Sequence, residues 1–133
     1  LGRNVTKNTA FIAGTGSVGV LPKDVVEYCL VYSNTGGAAP NFKITDNVPA
    51  GVDAQVGAYA AGNGIRWADG VTVAVGATAT PAGVNLTSAA DADQGTLSTT
   101  LGTNAKGVMT FDLGAAGLSA GGKGTVCFQT KVP

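Results

Sequence analysis

The chain has 133 residues, enough for one domain with a core of its own, and nothing in it reads as a linker. Its 8 Lys and Arg balance 8 Asp and Glu, charged residues make up only 12%, and histidine is absent. Zero net charge removes the electrostatic footprint for nucleic acid or an anionic membrane. The missing histidine removes the commonest general base, nucleophile partner and transition-metal ligand.

In chain order, residues 5–13 (VTKNTAFIA) end in an apolar patch and 18–21 (VGVL) form a second, with Gly14-Thr15-Gly16-Ser17 between them. This predicts one extended N-terminal segment with a glycine-rich kink. Pro22-Lys23-Asp24 turns the chain into a strand over 25–34, where Val26, Tyr28, Leu30 and Tyr32 alternate with Glu27, Cys29, Val31 and Ser33. The apolar set is assigned to the core, because Glu27 would otherwise be buried without a partner. That assignment turns Cys29 outward. Asn34-Thr35-Gly36-Gly37 closes the strand with residues suited to positive φ. A second strand follows over 42–46, with Phe42 and Ile44 inward, and Val48-Pro49-Ala50-Gly51 ends it.

Residues 54–60 and 65–67 flank Gly62-Asn63-Gly64 as an expected hairpin, and 71–75 is a short β-branched run. The stretch 76–106, rich in Thr, Ala, Gly and Ser, is too long for a structureless loop, so strands are expected at 84–86 and 96–101. The pattern is plain again over 107–113 (GVMTFDL) and 124–132 (GTVCFQTKV), with Phe111 and Phe128 inward. In the last strand Val126, Phe128 and Val132 share one parity, which places Cys127, Gln129 and Lys131 outward. Short strands recurring at about 8–12 residues imply a sandwich or barrel.

One block is more specific. The stretch LPKDVVEYCLVYSNTGGAAPNFKITDNVPAGVD resembles the conserved-repeat family called domain of unknown function eleven, immunoglobulin-like modules of bacterial and archaeal surface proteins. The matching elements are Pro22-Lys23-Asp24, Val26 to Gly36, Thr45-Asp46-Asn47-Val48-Pro49-Ala50-Gly51 and the closing strand Gly124 to Val132. The resemblance covers 22–53 and 107–133 and is absent between. It implies an immunoglobulin-like β-sandwich of about 7–9 strands and an extracellular or cell-surface location, and the extended N-terminal strand segment read above is longer than the family's one edge strand requires. It implies no chemistry, since fold does not carry function. The cysteines stand where the family usually has Thr. Residues 1–21 are read as an N-terminal segment that either folds back as the module's own first strand or is a donor strand for a neighbour, and 22–133 as the sandwich.

Two outward cysteines, Cys29 and Cys127, can bond if their strands are neighbours in one sheet, across an edge of the fold, or between subunits. An intrachain disulfide is the leading expectation, with an intersubunit bond and free thiols as alternatives. Within one chain the bridge would close a loop worth roughly 4–5 kcal/mol in the chain-entropy account. Neither cysteine has an activating neighbour in sequence, and their spacing makes no zinc motif. Asp91 and Asp93 faintly suggest a calcium loop but lack the further acids it needs, so no metal and no cofactor are expected. Trp67 with Tyr59 could present a sugar platform, although a lone Trp in a sandwich is more often core. Asn4-Val5-Thr6 and Asn85-Leu86-Thr87 match the glycosylation sequon. A Lys–Asn isopeptide is set aside, because Lys7 could serve but the last strand has no Asn.

No apolar run approaches the ~20 residues of a membrane span. Leu1–Lys7 is polar, so the chain reads as cytosolic or as an already processed product, and the glycine- and Thr-rich texture with few lysines favours secretion. Near-neutral charge and 44% hydrophobic residues favour association. The expectation is therefore a secreted, non-enzymatic, pilus-like structural subunit. It would assemble with copies of itself into a filament or surface layer by strand exchange, with Ala10, Phe11, Ile12, Ala13, Val18, Val20 and Leu21 as self-association residues. The alternatives are an adhesive module binding a surface glycan and an inert spacer in a larger surface protein.

Overall fold

A computed structural model describes residues 1–99 and 107–133. These form an all-β sandwich of nine strands: β1 Gly2–Asn4, β2 Val25–Ser33, β3 Lys43–Asn47, β4 Asp53–Ala54, β5 Ile65–Asp69, β6 Val84–Leu86, β7 Gly95–Ser98, β8 Val108–Asp112 and β9 Lys123–Lys131. Every pairing is antiparallel. The large sheet runs β1-β2-β9-β5-β6, with β4 beside the far end of β9, and the small sheet runs β3-β8-β7.

The alternation of β2 and β9 builds the space between the sheets. Val26, Tyr32, Phe111 and Phe128 are buried as expected, while Tyr28, Leu30, Phe42 and Ile44 are partly buried and pack against the core. Ile65, Leu86, Leu97, Met109 and Val126 fill the rest. Aromatic rings carry much of the contact: Tyr32 and Trp67 both pack on Phe111, and the Trp67 indole N–H donates to the Tyr32 hydroxyl at 2.8 Å. Gly124 makes that geometry possible, because a Cβ there would collide with the Tyr32 ring and hydroxyl.

Several sequence expectations shift. The 54–60 and 65–67 segments do not pair with each other. Instead β4 and β5 both pair with β9, at successive positions, and only an isolated Ala60–Asn63 bridge joins the intervening turn. Residues 71–75 form no strand, although Val73 and Val71 bond through the Thr125 hydroxyl. In the N-terminal segment only Gly2–Asn4 is a strand. A tight turn over residues 5–8 interrupts it, and Ile12 returns to bridge Gly2. The strand expected over 96–101 is found as β7 up to Ser98, and Leu101 lies outside the described residues.

The largest correction concerns the second face of the large sheet. Parity places Glu27, Cys29 and Cys127 toward solvent, yet all three are buried, and so is Thr125 on the same face. The reason is coverage: the N-terminal segment, the turn around Tyr59 and the loop around 71–80 lie across this face. The cover is incomplete, for Val31 at the strand's far end remains 44% exposed.

Candidate functional site

The cysteines sit opposite one another on β2 and β9, with Cα atoms 4.1 Å apart, and are joined as a disulfide within the chain. Backbone phase explains why. The Cys29 N–H and C=O bond Leu1 on the β1 side, both at 2.9 Å, so toward β9 this is a non-hydrogen-bonded pair. In such pairs the side chains stand closest. Phe11, fully buried, packs over the sulfurs together with Leu1, Tyr59, Val73 and Ala77.

Two pairs further along, on the same face, the register sets Glu27 against Gln129 and, on the other side, Arg3. Glu27 is fully buried and fully partnered. Its Oε2 accepts from Arg3 Nε at 2.8 Å and Thr80 Oγ1 at 2.7 Å. Its Oε1 accepts from Tyr59 Oη at 2.7 Å, Thr80 Oγ1 at 2.9 Å and Gln129 Nε2 at 3.1 Å. Burial pushes the carboxyl's pKa up, but the bonds from Tyr59, Gln129, Arg3 and Thr80 outweigh it and hold the group below the usual carboxylate range. Desolvation and the neighbouring Glu27 charge push the Tyr59 phenol far above its ordinary value. Arg3 also donates to Thr78 O and Thr80 Oγ1, and its guanidinium lies 5.2 Å from the centre of the Phe11 ring. Arg66, beside Cys127 on β5, stacks over Tyr59, and its Nε is buried without an acceptor.

Residues 1–12 therefore form an arm held at two points. β1 pairs with β2. Phe11 exchanges two 2.8 Å backbone bonds with Gly76 and Ala77, while Ile12 exchanges two with Gly2. The connection back to β2, residues 13–24, forms no strand, and Val20 and Leu21 on it are 42% and 60% exposed. Of the self-association residues, Phe11 is buried on its own chain, Ala10, Ile12 and Val18 are half-buried, and Ala13, Val20 and Leu21 are exposed. An apolar groove of about 500 Å³ runs between the connection and β2, lined by Leu1, Ile12, Val18, Leu30 and Val31 among others. At the root of the connection Asp24 Oδ2 accepts from Leu21 N, Asn4 Nδ2 and Lys7 Nζ. The Leu21 N–H, the Asn4 amide and Lys7 keep its carboxyl below the ordinary range.

Other sequence candidates go elsewhere. The oxygens of Asp91 and Asp93 accept bonds from Thr87, Asp93 N and Gly95 N, so these residues fasten a turn. Among the described residues no three acidic, Cys or His side chains cluster as a metal site. Trp67 lies in the sandwich core and Tyr59 under the second-face cover, so the pair makes no exposed platform. Asn4 of the first sequon is buried, its amide committed to Gly19 and Asp24, whereas Asn85 of the second is exposed. Lys7 pairs with Asp24. Among the described residues no helix is long and apolar enough to cross a membrane.

Sequence reasoning missed Arg3, Tyr59, Thr80 and Gln129 as partners of Glu27. A signal existed: pairing Cys29 with Cys127 in adjacent antiparallel strands places Glu27 opposite Gln129 two residues along. Nothing comparable announces Thr80 or Tyr59, which arrive from loops. No family model, no curated protein and no solved structure matches this chain.

Proposed function

We propose that the protein is a non-enzymatic structural subunit of the cell exterior that self-associates by exchanging its N-terminal arm between copies. The observation that carries this reading is the arm itself. Residues 1–12 supply a strand and the fully buried Phe11 to the large sheet, while residues 13–24, which tether them, form no strand and leave Val20 and Leu21 in solvent. An arm of a second copy makes the same contacts as the chain's own. Exchange therefore leaves the sheet contacts unchanged, and protein concentration and new contacts at the hinge decide between closed monomer and chain of subunits. Head-to-tail exchange that does not close gives a filament. Zero net charge removes long-range repulsion between copies, and a buried disulfide suits an oxidising exterior. The immunoglobulin-like kinship suggested by residues 22–53 belongs to the same reading.

The test compares the intact chain with one lacking residues 1–13, by sedimentation over a wide concentration range and by electron microscopy. Intact protein should form concentration-dependent linear oligomers, the truncated chain should not, and an added peptide of residues 1–13 should cap the intact protein's growing ends. Polymerisation of the truncated chain, or an intact chain that stays monomeric throughout, would refute the exchange.

A further inference from the structure

The Glu27 cluster holds more than a buried ion pair needs. One carboxylate oxygen, Oε1, receives both a hydroxyl, Thr80 Oγ1 at 2.9 Å, and a primary amide nitrogen, Gln129 Nε2 at 3.1 Å. A nucleophile and an acyl carbon with a leaving amine thus meet across one fully buried base, Thr80 and Gln129 themselves being half-buried. Arg3 Nη2 contacts the same hydroxyl oxygen at 3.1 Å, where it favours developing negative charge. Arg66, also on this face, carries a buried Nε–H with no acceptor, a donor free for an oxyanion.

We propose that Thr80 and Gln129 join in an intramolecular ester, formed by the folded chain itself with Glu27 as the base. Thr80 Oγ1 attacks Gln129 Cδ as Glu27 Oε1 takes the hydroxyl proton. The tetrahedral intermediate carries its negative charge on the former amide oxygen. As it collapses, the Cδ–Nε2 bond breaks, Glu27 returns the proton to Nε2, and ammonia leaves. One C–O bond replaces one C–N bond, no oxidant or cofactor enters, and Glu27 ends as it began. The broad terminal torsion of Gln lets the amide plane turn so that a face of Cδ meets the hydroxyl. Fixed placement of the two groups substitutes for the activation an ester ordinarily requires, since held reactants gain orders of magnitude in effective concentration. The product ties the 76–80 loop, which bonds Phe11, to the terminal strand, and so locks the cover over the disulfide.

Intact mass and peptide mapping of the native protein test this directly. After proteolysis the peptides containing Thr80 and Gln129 should appear as one linked species lighter than their sum by one ammonia. Mild hydroxylamine should separate them, as it does an ester and not an isopeptide. Thr80→Val and Glu27→Gln should each give unlinked peptides. If Glu27→Gln fails to fold, Thr80→Val, whose side chain has the same shape, still decides. Native protein whose mass departs from the sequence only by the two hydrogens of the disulfide, with peptides 80 and 129 separate, would overturn the proposal.

Discussion

On one face of β2 and β9 stand Tyr28, Val126, Tyr32 and Phe128, packed against a second sheet. On the other stand Glu27, Gln129, Thr125 and the disulfide, covered by an arm and two loops. Both are buried, but by different means. The first excludes water with apolar area, at roughly 25 cal/mol per Å². The second has too little apolar surface for that, so Glu27 and Thr125 are matched to donors and acceptors, Arg66 Nε goes without an acceptor, and a covalent bridge is added. A face covered by loops opens locally at lower cost than one covered by a sheet, and the arm-covered face is where exchange and crosslinking are placed above.

The difference can be broken most severely at the disulfide. Replacing Cys29 and Cys127 together by Ala releases a loop spanning 98 positions, which in the chain-entropy account costs about 4–5 kcal/mol. Denaturant unfolding should show that loss. Because both sulfurs are buried, the native bond should also resist reductant until denaturant opens the cover. Ready reduction of the folded protein would show that the cover does not seal.

Phe111 and Phe11 sharpen the contrast, being the same residue with the same 0% exposure on opposite faces. Phe111→Ala should cost about 4–5 kcal/mol, since rings on several sides leave a cavity that cannot collapse. Phe11→Ala should cost about 3 kcal/mol, because an arm can settle or fray where a sheet cannot. Only the second should speed reduction of the disulfide and hydrogen exchange of the Cys29 amide. Equal effects on both readouts would mean that the two faces share one cooperative core.

How far the sequence reveals this contrast follows from its periodicity. Alternation in β2, β8 and β9 identifies the sandwich face well, because apolar residues every second position have one physical meaning. The same alternation misleads about the other face. A polar residue opposite an apolar one reads as solvated, whereas Glu27 is buried against partners from residues 3, 59, 80 and 129, and Cys29 is buried in its bond to Cys127. The two that come from loops, Tyr59 and Thr80, leave no period. Val71 to Val75 fails for a related reason: its β-branched run finds no strand to pair with and rests on the Thr125 side chain.

Glu27→Gln removes the charge but keeps the shape. With its hydrogen bonds to Arg3 weakened, the variant should lose about 1.5–3 kcal/mol at neutral pH. The pH dependence has a definite sign. The folded pKa of Glu27 lies below the unfolded one, so its contribution is present above the unfolded value near 4.3 and fades as pH falls through the folded value. Asp24, also depressed, fades in the same acid window. Wild-type stability should therefore fall below about pH 4 while the variant's falls less, and the two curves should converge. Parallel curves would show that Glu27 does not titrate with folding.

The smallest effect is expected at the root of the arm, outside both faces. Leu21 to Asp24 closes a turn with the Asp24 N–H on Leu21 O at 3.1 Å, Pro22 in its second position and Lys23 in its third at φ +74°. That third position in a type II turn suits glycine, because a Cβ there crowds the backbone. A left-handed L-residue costs about 1–2 kcal/mol, and a new glycine gives back up to ~1 kcal/mol through the freer unfolded chain. Lys23→Gly should therefore stabilise the protein by about 0.5–1 kcal/mol. Lys23→Ala, which keeps the Cβ, should not. The gain should appear as a higher denaturation midpoint at unchanged slope, with disulfide reduction and Cys29 exchange as in the wild type, since neither face is touched. A loss of stability in Lys23→Gly would instead assign the Lys23 side chain a holding role at the hinge, and would make the turn part of the arm's fastening.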